Sequence, residues 1–585
     1  MIQEQIAEIF HFPTKLSRDQ LSFSEANVEA LSEWISTLSI MQLGDTALFV
    51  MTALHEVSEL HCSETLRFDL IQTLHPVIEN VLVSLEKNFL NQGLFHSDRD
   101  EHIIELTTRL RIYFTAIYID IARRSDQQLT QNKISMFQFL KRRNLKTARI
   151  LSTYYALEQL GRLLVQQNML YQHVMSNQWL VTHSLYDMSF KNQEHLININ
   201  QLQGTNHTIK NIDQAYAQVL LLELFNTNQI RPAEIHALYQ CSFDWAQLVH
   251  IVPREATLTR YIIDNTKDLP PILNQKQTDD FKANIFVATQ SLLEHINLTI
   301  QKDNEYLSRN EKNYLSTALK FHVQNVLGSS SERQYERFEY SAQLQICFSL
   351  HTAHFYLSNA QTFLESLKLK SHYDIKSHST LHASLVSDDS NSIQKQMVAL
   401  DRKAKQNYQT QVLDISKNGY RIRWSILEAP QNLRTGEFIL MREKATDPWK
   451  GGVIRWMKQV PNKSYELGIE VLSDEFYPCA VKTSADRLTN NYHPAFIVDL
   501  VTEKETVNTV ILPNLSLFKE QQAVYIRVEE HDIKVYLNKT IMITQSFIQY
   551  DFELLNHEQQ SIIDQLIQEK SIGSNRQQDV WEALK

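Results

Sequence analysis

Residues 414–424 read DISKNGYRIRW, and this stretch decides how the C-terminal half of the chain is interpreted. In its second half, the apolar residues Tyr420, Ile422 and Trp424 are separated by single arginines. Successive side chains of a β-strand point to opposite faces, so this alternation predicts a half-buried strand. Gly419 stands just before the strand, where a glycine permits the backbone conformations of a tight turn.

The same alternation occurs earlier in the chain, at Leu344, Ile346, Phe348 and Leu350, which are separated by single polar residues or cysteine. Further strands are predicted at 437–442, 452–458, 466–472, 496–500, 509–512, 524–528, 533–537 and 541–544. The later strands form a second β-rich module within 494–553. Their pattern leaves open whether this module is a separate barrel or an extension of the first.

The N-terminal part of the chain has a different pattern. Val28, Leu31, Ile35 and Leu38 recur at helical spacing. The chain has only 11 glycines, and they are concentrated C-terminally, between residues 419 and 468. We therefore predict an all-helical region without strands over 1–325, and a multidomain α+β chain whose strands all lie C-terminal to it.

Composition excludes several classes of protein. The net charge of −10 argues against DNA or RNA binding, which needs a basic surface. The four cysteines are far apart, so we expect neither a zinc knuckle nor a disulfide framework, and a reducing compartment. The acidic N-terminus does not resemble a signal peptide, and no apolar run reaches the roughly 18 residues of a membrane span. We expect a cytoplasmic protein without membrane insertion.

The histidines invite a metal-site interpretation that the sequence does not support. They occur at His351, His354, His372, His378 and His382, without carboxylates or cysteines at ligand spacing. No arrangement typical of a catalytic triad or a phosphate-binding loop is present either. We expect no metal, no cofactor and no catalytic residues.

Two short motifs together suggest one binding site. The first is R-x-x-x-R at Arg333 and Arg337, and the second is D-x-S-x-x-G at Asp414, Ser416 and Gly419. Guanidinium groups bind phosphates through two parallel hydrogen bonds and stack on flat rings. The aspartate can accept hydrogen bonds from the N1–H and N2–H₂ edge of guanine, and the serine hydroxyl can add another contact. An anionic ligand that contains guanine would use both motifs.

The order of these motifs resembles that of the PilZ family. Three later segments continue the resemblance, namely Gly436–Leu440 (GEFIL), Gly452–Trp456 (GVIRW) and Leu467–Glu470 (LGIE). The resemblance covers roughly 330–475. It implies a small β-barrel that binds the bacterial second messenger cyclic di-GMP. It further implies that the two arginines of the first motif clamp the phosphates, and that Asp414, Ser416 and Gly419 hold a guanine.

Two features depart from the family pattern. Arg337 and Asp414 are separated by 77 positions (414 − 337), farther than is usual in the family. A polar insertion at 359–408 accounts for the excess if it loops out of the barrel, because closure entropy grows only slowly with loop length. In addition, Glu332 and Glu336 lie among the arginines and lower the local positive charge.

We predict four segments. They are a helical output or docking region at 1–325, a PilZ-like antiparallel β-barrel at 326–478, a second β-rich module at 479–556, and a C-terminal helix and tail at 557–585. The leading hypothesis is a cytoplasmic bacterial cyclic di-GMP receptor. Ligand binding would change how the helical region docks to a protein partner in motility, pilus or biofilm control. One alternative is an interaction scaffold whose barrel does not bind nucleotide; an enzyme acting on nucleotides has the least support.

Overall fold

The computed structural model of the chain divides into two compact units, Met1–Ser331 and Glu332–Lys585. It describes residues 16–38, 42–90, 96–131, 138–253, 259–328, 337–368, 406–484, 491–556 and most of 559–567, apart from short gaps at 279, 302, 417, 426–427, 431–432, 462–463 and 502–505.

The first unit is mainly helical, which confirms the prediction for this part of the chain. Its helices are α1 Val28–Leu38, α2 Leu43–Glu59, α3 Glu64–Glu86, α4 Asp98–Thr130, α5 Phe139–Met169, α6 Gln178–Lys191, α7 Ile199–Gln203, α8 Ile212–Leu224, α9 Pro232–Trp245, α10 Gln290–Gln301, α11 Arg309–Tyr314 and α12 Thr317–Gly328. The long helices α4 and α5 pack against each other. Apolar residues such as Ile117, Ile121, Leu157 and Leu160 place them in the core.

Local sequence explains where two of these helices begin. The Ser97 hydroxyl accepts a hydrogen bond from the Asp100 amide, and the Asp100 carboxylate accepts one from the Ser97 amide. This reciprocal cap satisfies two amide groups that have no partner inside α4. Helix α9 begins at Pro232, as the sequence predicts, because the missing N–H of proline costs nothing at a first helical position.

The expectation that residues 1–325 contain no strands is wrong. Four short strands, β1 His250–Val252, β2 Tyr261–Ile263, β3 Ile272–Leu273 and β4 Ile285–Ala288, form an antiparallel sheet in the order β1-β4-β2-β3. Each strand is too short to display a repeating pattern of two. Strand β2 is buried along its whole length and therefore shows no alternation at all.

The second unit begins with an antiparallel barrel, as the resemblance implies. Its strands are β5 Arg337–Glu339, β6 Gln343–Phe348, β7 Tyr408–Ser416, β8 Gly419–Ser425, β9 Phe438–Arg442, β10 Lys450–Val460 and β11 Ser464–Ser473. Pairing in the order β7-β6-β9-β10-β11-β8 is closed by β8 pairing with β7, and β5 adds to β7. The alternation in β8 is confirmed, because Tyr420, Ile422 and Trp424 are buried.

The second β-rich module is a closed barrel of its own, which answers the question that the sequence leaves open. It comprises β12 Tyr477–Thr483, β13 His493–Val501, β14 Thr506–Pro513, β15 Gln522–Val528, β16 His531–Ile543 and β17 Phe547–Leu554. The sequence pattern does not predict β12 or β17. It also divides β16 in two, because register shifts around Thr540 interrupt the alternation.

An aromatic cluster joins the two barrels. Phe438 of β9 stacks on Phe496 of β13, with ring centroids 5.5 Å apart, and contacts Phe547 of β17 at 5.7 Å. The Ser546 hydroxyl also donates a hydrogen bond of 2.8 Å to Glu437. The two barrels therefore share apolar and polar contacts.

The start of the predicted insertion is anchored to the second barrel. It contains α14 Phe363–Ser366, which follows α13 Leu350–Leu357. Phe363 and Leu367 pack with Ala480 and Tyr492 of the second barrel and its loop. The Leu367 carbonyl also accepts a 2.9 Å hydrogen bond from Arg527. Residues 369–405, the rest of the insertion apart from its last positions, lie outside the described residues.

A helix is present in the predicted C-terminal segment at 560–565, whereas residues 568–585 lie outside the described part. All four cysteines are free. Over the residues that the structure describes, no helix has both the length and the apolar character needed to cross a membrane.

Candidate functional site

Four of the five predicted site residues lie side by side on neighbouring strands. In the pairing of β5 with β7, Arg337 is opposite Ser416 and Glu339 is opposite Asp414. In the pairing of β7 with β8, Ser416 is opposite Gly419. Residues 77 positions apart in the sequence therefore meet on one patch of the barrel. Arg333 lies outside the described residues, as do Glu332 and Glu336.

Asp414 is held between two arginines. Its Oδ1 accepts from Arg337 Nη1 at 3.3 Å, and its Oδ2 accepts from Arg421 Nη1 at 3.1 Å. The aspartate side chain is 12% exposed, whereas about a third of each guanidinium faces solvent. The carboxylate is thus oriented by fixed partners, and the guanidinium faces stay accessible.

Arg421 connects this pair to a second carboxylate that the sequence motifs do not include. Arg421 donates to Glu466 of β11 through Nη2 at 2.6 Å, and Arg423 donates to the other oxygen of Glu466 at 2.6 Å. These are the two arginines that alternate with apolar residues in β8. Their alternation predicts an outward orientation, but nothing in the sequence identifies Glu466 as their partner.

The arginines keep the Glu466 carboxylate ionised. Burial alone would raise its pKa, but the hydrogen bonds from Arg423 and Arg421 outweigh burial and hold the pKa below its ordinary value. The hydrogen bond to Glu466 in turn raises the pKa of Arg421. With Arg337, the described network contains three guanidinium groups and two carboxylates, so it retains an excess positive charge suited to an anion.

Ser416 and Gly419 define the turn beside the network. The Ser416 hydroxyl donates to the Gly419 carbonyl over 3.4 Å, which places it at the open end of the hairpin. A Cβ at position 419 would lie 2.3 Å from the Ile469 carbonyl oxygen of β11. Glycine is therefore required here by the close approach of β8 and β11, whatever its contact with a ligand.

A metal interpretation gains nothing from the structure. In the parts of the chain that the structure describes, no group of three or more His, Cys, Asp or Glu side chains is arranged to hold a metal ion. His372, His378 and His382 lie outside those parts.

The closed antiparallel barrel, with the two arginine- and aspartate-containing motifs on adjacent strands, defines a PilZ-domain protein. Comparison with protein families agrees: three family models match in succession. They are the N-terminal domain of the cyclic-di-GMP receptor FimW at 29–255, its middle PilZ domain at 260–396 and 372–478, and its C-terminal β-barrel domain at 479–555. The chain belongs to this family. The middle match begins at residue 260, well before the region of the sequence resemblance.

One relative matches nearly the full length of the chain. It is the protein named cyclic-di-GMP receptor FimW from Pseudomonas aeruginosa strain PAO1, which is 23% identical over 578 residues and is covered to 92%, as is this chain. The similarity therefore extends over the helical unit and both barrels.

Proposed function

We propose that this protein is a cytoplasmic bacterial receptor for cyclic di-GMP and not an enzyme. The observation that carries the proposal is the pairing of Arg337 with Asp414 on adjacent strands, at the position where the two PilZ motifs would have to meet. The name of the relative, a cyclic-di-GMP receptor, supports the same ligand.

The chemistry of the patch suits the two parts of this ligand. Arg337, together with Arg333, would bind the phosphates and stack on a guanine ring. Asp414 would accept hydrogen bonds from the guanine edge, while Ser416 contributes a hydroxyl. Because Asp414 is nearly buried and already oriented by Arg421, little conformational freedom is lost when the guanine binds.

Titration calorimetry tests the proposal. The full chain should bind cyclic di-GMP but not cyclic di-AMP, because adenine lacks the N1–H and N2–H₂ donors that a carboxylate recognises. Arg337→Ala should weaken binding about ten- to a hundredfold, which corresponds to roughly 1.5–3 kcal/mol for a charged hydrogen-bond partner. The control is Arg434→Ala, which removes a half-exposed arginine paired with Glu437 and should leave the affinity unchanged. Absence of binding, or unchanged binding in Arg337→Ala, would overturn the proposal.

We further propose that ligand binding changes how the helical region engages a protein partner in motility, pilus or biofilm control. This rests on the sequence position of R-x-x-x-R, directly between the last helix of the first unit and strand β5. Limited proteolysis with and without cyclic di-GMP should show protection near residues 328–340. Equal cleavage in a sample shown to bind the ligand would contradict the docking change alone.

A scaffold that does not bind nucleotide is the second candidate. It is favoured by one observation, the neutralisation of Arg337, Arg421 and Arg423 by Asp414 and Glu466 within the protein itself. A pull-down that recovers the same partners with and without cyclic di-GMP would support this candidate. Chromatography of cyclic di-GMP after incubation with the protein would reveal any turnover and so test the non-enzymatic assignment.

A further inference from the structure

A cleft in the helical unit has the features of a second, unrelated binding site. It has a volume of about 540 Å³ and is formed by α3, α4, α5 and α9 together with the residues after α3. This volume lies in the range of sites for small organic molecules. Its apolar surface is provided by residues including Val83, Leu90, Val165, Met169 and Phe243.

Two deeply buried polar side chains of the cleft wall have atoms without partners. Arg111 is 1% exposed; its terminal nitrogens donate to Gln159 and Glu86, but its Nε has no hydrogen-bond partner in the described part of the chain. Gln166 is 2% exposed; its amide nitrogen donates to Thr108 at 2.8 Å, but its Oε1 accepts no hydrogen bond from the described residues.

A third unpaired group lies on the same wall. Arg162 donates through its terminal nitrogens to Glu79 and, at 3.0 Å, to Glu158, which leaves its Nε without a partner among the described residues. Arg162 and Gln166 are one helical turn apart on α5 and both line the cleft. Buried polar groups without partners are unfavourable and uncommon, so three on one cleft wall call for a partner from outside.

The charges around the cleft balance, which argues against a strongly charged ligand. The cations are Arg111, Arg162 and Lys87, and the carboxylates are Glu86, Glu79 and Glu158. Burial lowers the pKa of His236, which keeps its imidazole neutral at pH 7. Burial also raises the pKa of Tyr239 to about 12, so its hydroxyl remains protonated.

We propose that this cleft binds a small, uncharged, amphipathic molecule whose head group both accepts and donates hydrogen bonds, as a carboxamide does. The carbonyl oxygen of the head group accepts from the Nε–H groups of Arg111 and Arg162, and its N–H donates to Gln166 Oε1. The apolar body packs against Val165, Met169 and Phe243. The site belongs to the first unit and does not depend on the proposed nucleotide site.

Saturation-transfer NMR on the full chain tests the proposal with 4-methylbenzamide as the probe. The comparison probe is 4-methylacetophenone, which keeps the ring and carbonyl but lacks the N–H donors. We expect the amide to bind at least several-fold more tightly, and excess cyclic di-GMP to leave its signal unchanged. No transfer to the amide, or displacement by cyclic di-GMP, would overturn the proposal.

Two variants locate the binding. Val83→Trp places a large ring at the cleft from a position that is 43% exposed, and should abolish transfer. Its control is Leu48→Trp on α2, also at an exposed position and outside the cleft lining, which should bind normally. Gln166→Leu should remove the preference for the amide over the ketone, while the Thr108 hydroxyl keeps its hydrogen bond to Ile104. Equal binding in wild type and Val83→Trp would refute the location.

Discussion

Arg421 should orient the ligand-binding aspartate, and replacing it should weaken cyclic di-GMP binding. In Arg421→Ala, Asp414 loses its 3.1 Å hydrogen bond and keeps only Arg337, a side chain that the ligand also requires. A hydrogen bond to a charged group contributes about 1.5–3 kcal/mol. Since the Arg421 side chain is 35% exposed, we reduce this to about 1 kcal/mol. The dissociation constant should therefore rise roughly fivefold.

Arg423→Ala is the matched control for this experiment. Arg423 lies on the same strand and bonds to the same carboxylate, Glu466, at the same distance as Arg421, but it does not contact Asp414. In either variant Glu466 keeps one arginine, so the two variants should lose similar amounts of stability in urea unfolding. Titration calorimetry at fixed salt should then show weaker binding only for Arg421→Ala. If both variants bind cyclic di-GMP equally, the positioning role of Arg421 is refuted.

Gly419→Ala should destabilise the protein by about 1–3 kcal/mol, because its Cβ would overlap the carbonyl of Ile469, whereas Gly44→Ala has open space and should be neutral or stabilising in urea unfolding. Equal midpoints would contradict this packing argument. Glu466 has a lowered pKa in the folded state, so its contribution to stability should be present above pH about 4.5 and be lost on further acidification; Glu466→Gln should flatten that part of the stability–pH curve. Burial lowers the pKa of His183, so the helical unit should lose stability as the pH falls below about 6.5, and His183→Gln should reduce this loss in urea midpoints measured at pH 7.5 and 5.5.

Sequence reasoning reached the first barrel because its strands are half-buried and therefore alternate visibly. It also brought Arg337 and Asp414 together, since motif order implies which strands are neighbours. Glu466 could not be found in this way. Its place beside Arg421 and Arg423 depends on the pairing of β8 with β11, and pairing is set by the closure of the whole barrel.

The remaining differences have similar physical causes. Strand β2 is buried on both faces, so its sequence carries no period of two. The cleft of the helical unit is formed by helices that are far apart in sequence, and its unpaired Arg111 and Gln166 atoms are recognisable only once the helices have packed. Local patterns predict elements well; contacts between distant elements require the folded chain.

The aromatic cluster between the barrels has a consequence for how the second unit unfolds. Phe438, Phe496 and Phe547 are each fully buried, and two of these three rings belong to the second barrel. Each aromatic pair contributes about 0.5–1.5 kcal/mol beyond its buried area, so separating the barrels would expose rings and lose these contacts. The two barrels should therefore melt in one cooperative calorimetric transition. A fragment that ends between them should aggregate through its uncovered phenylalanines, because the second barrel acts as the lid of a hydrophobic interface as well as a domain in its own right.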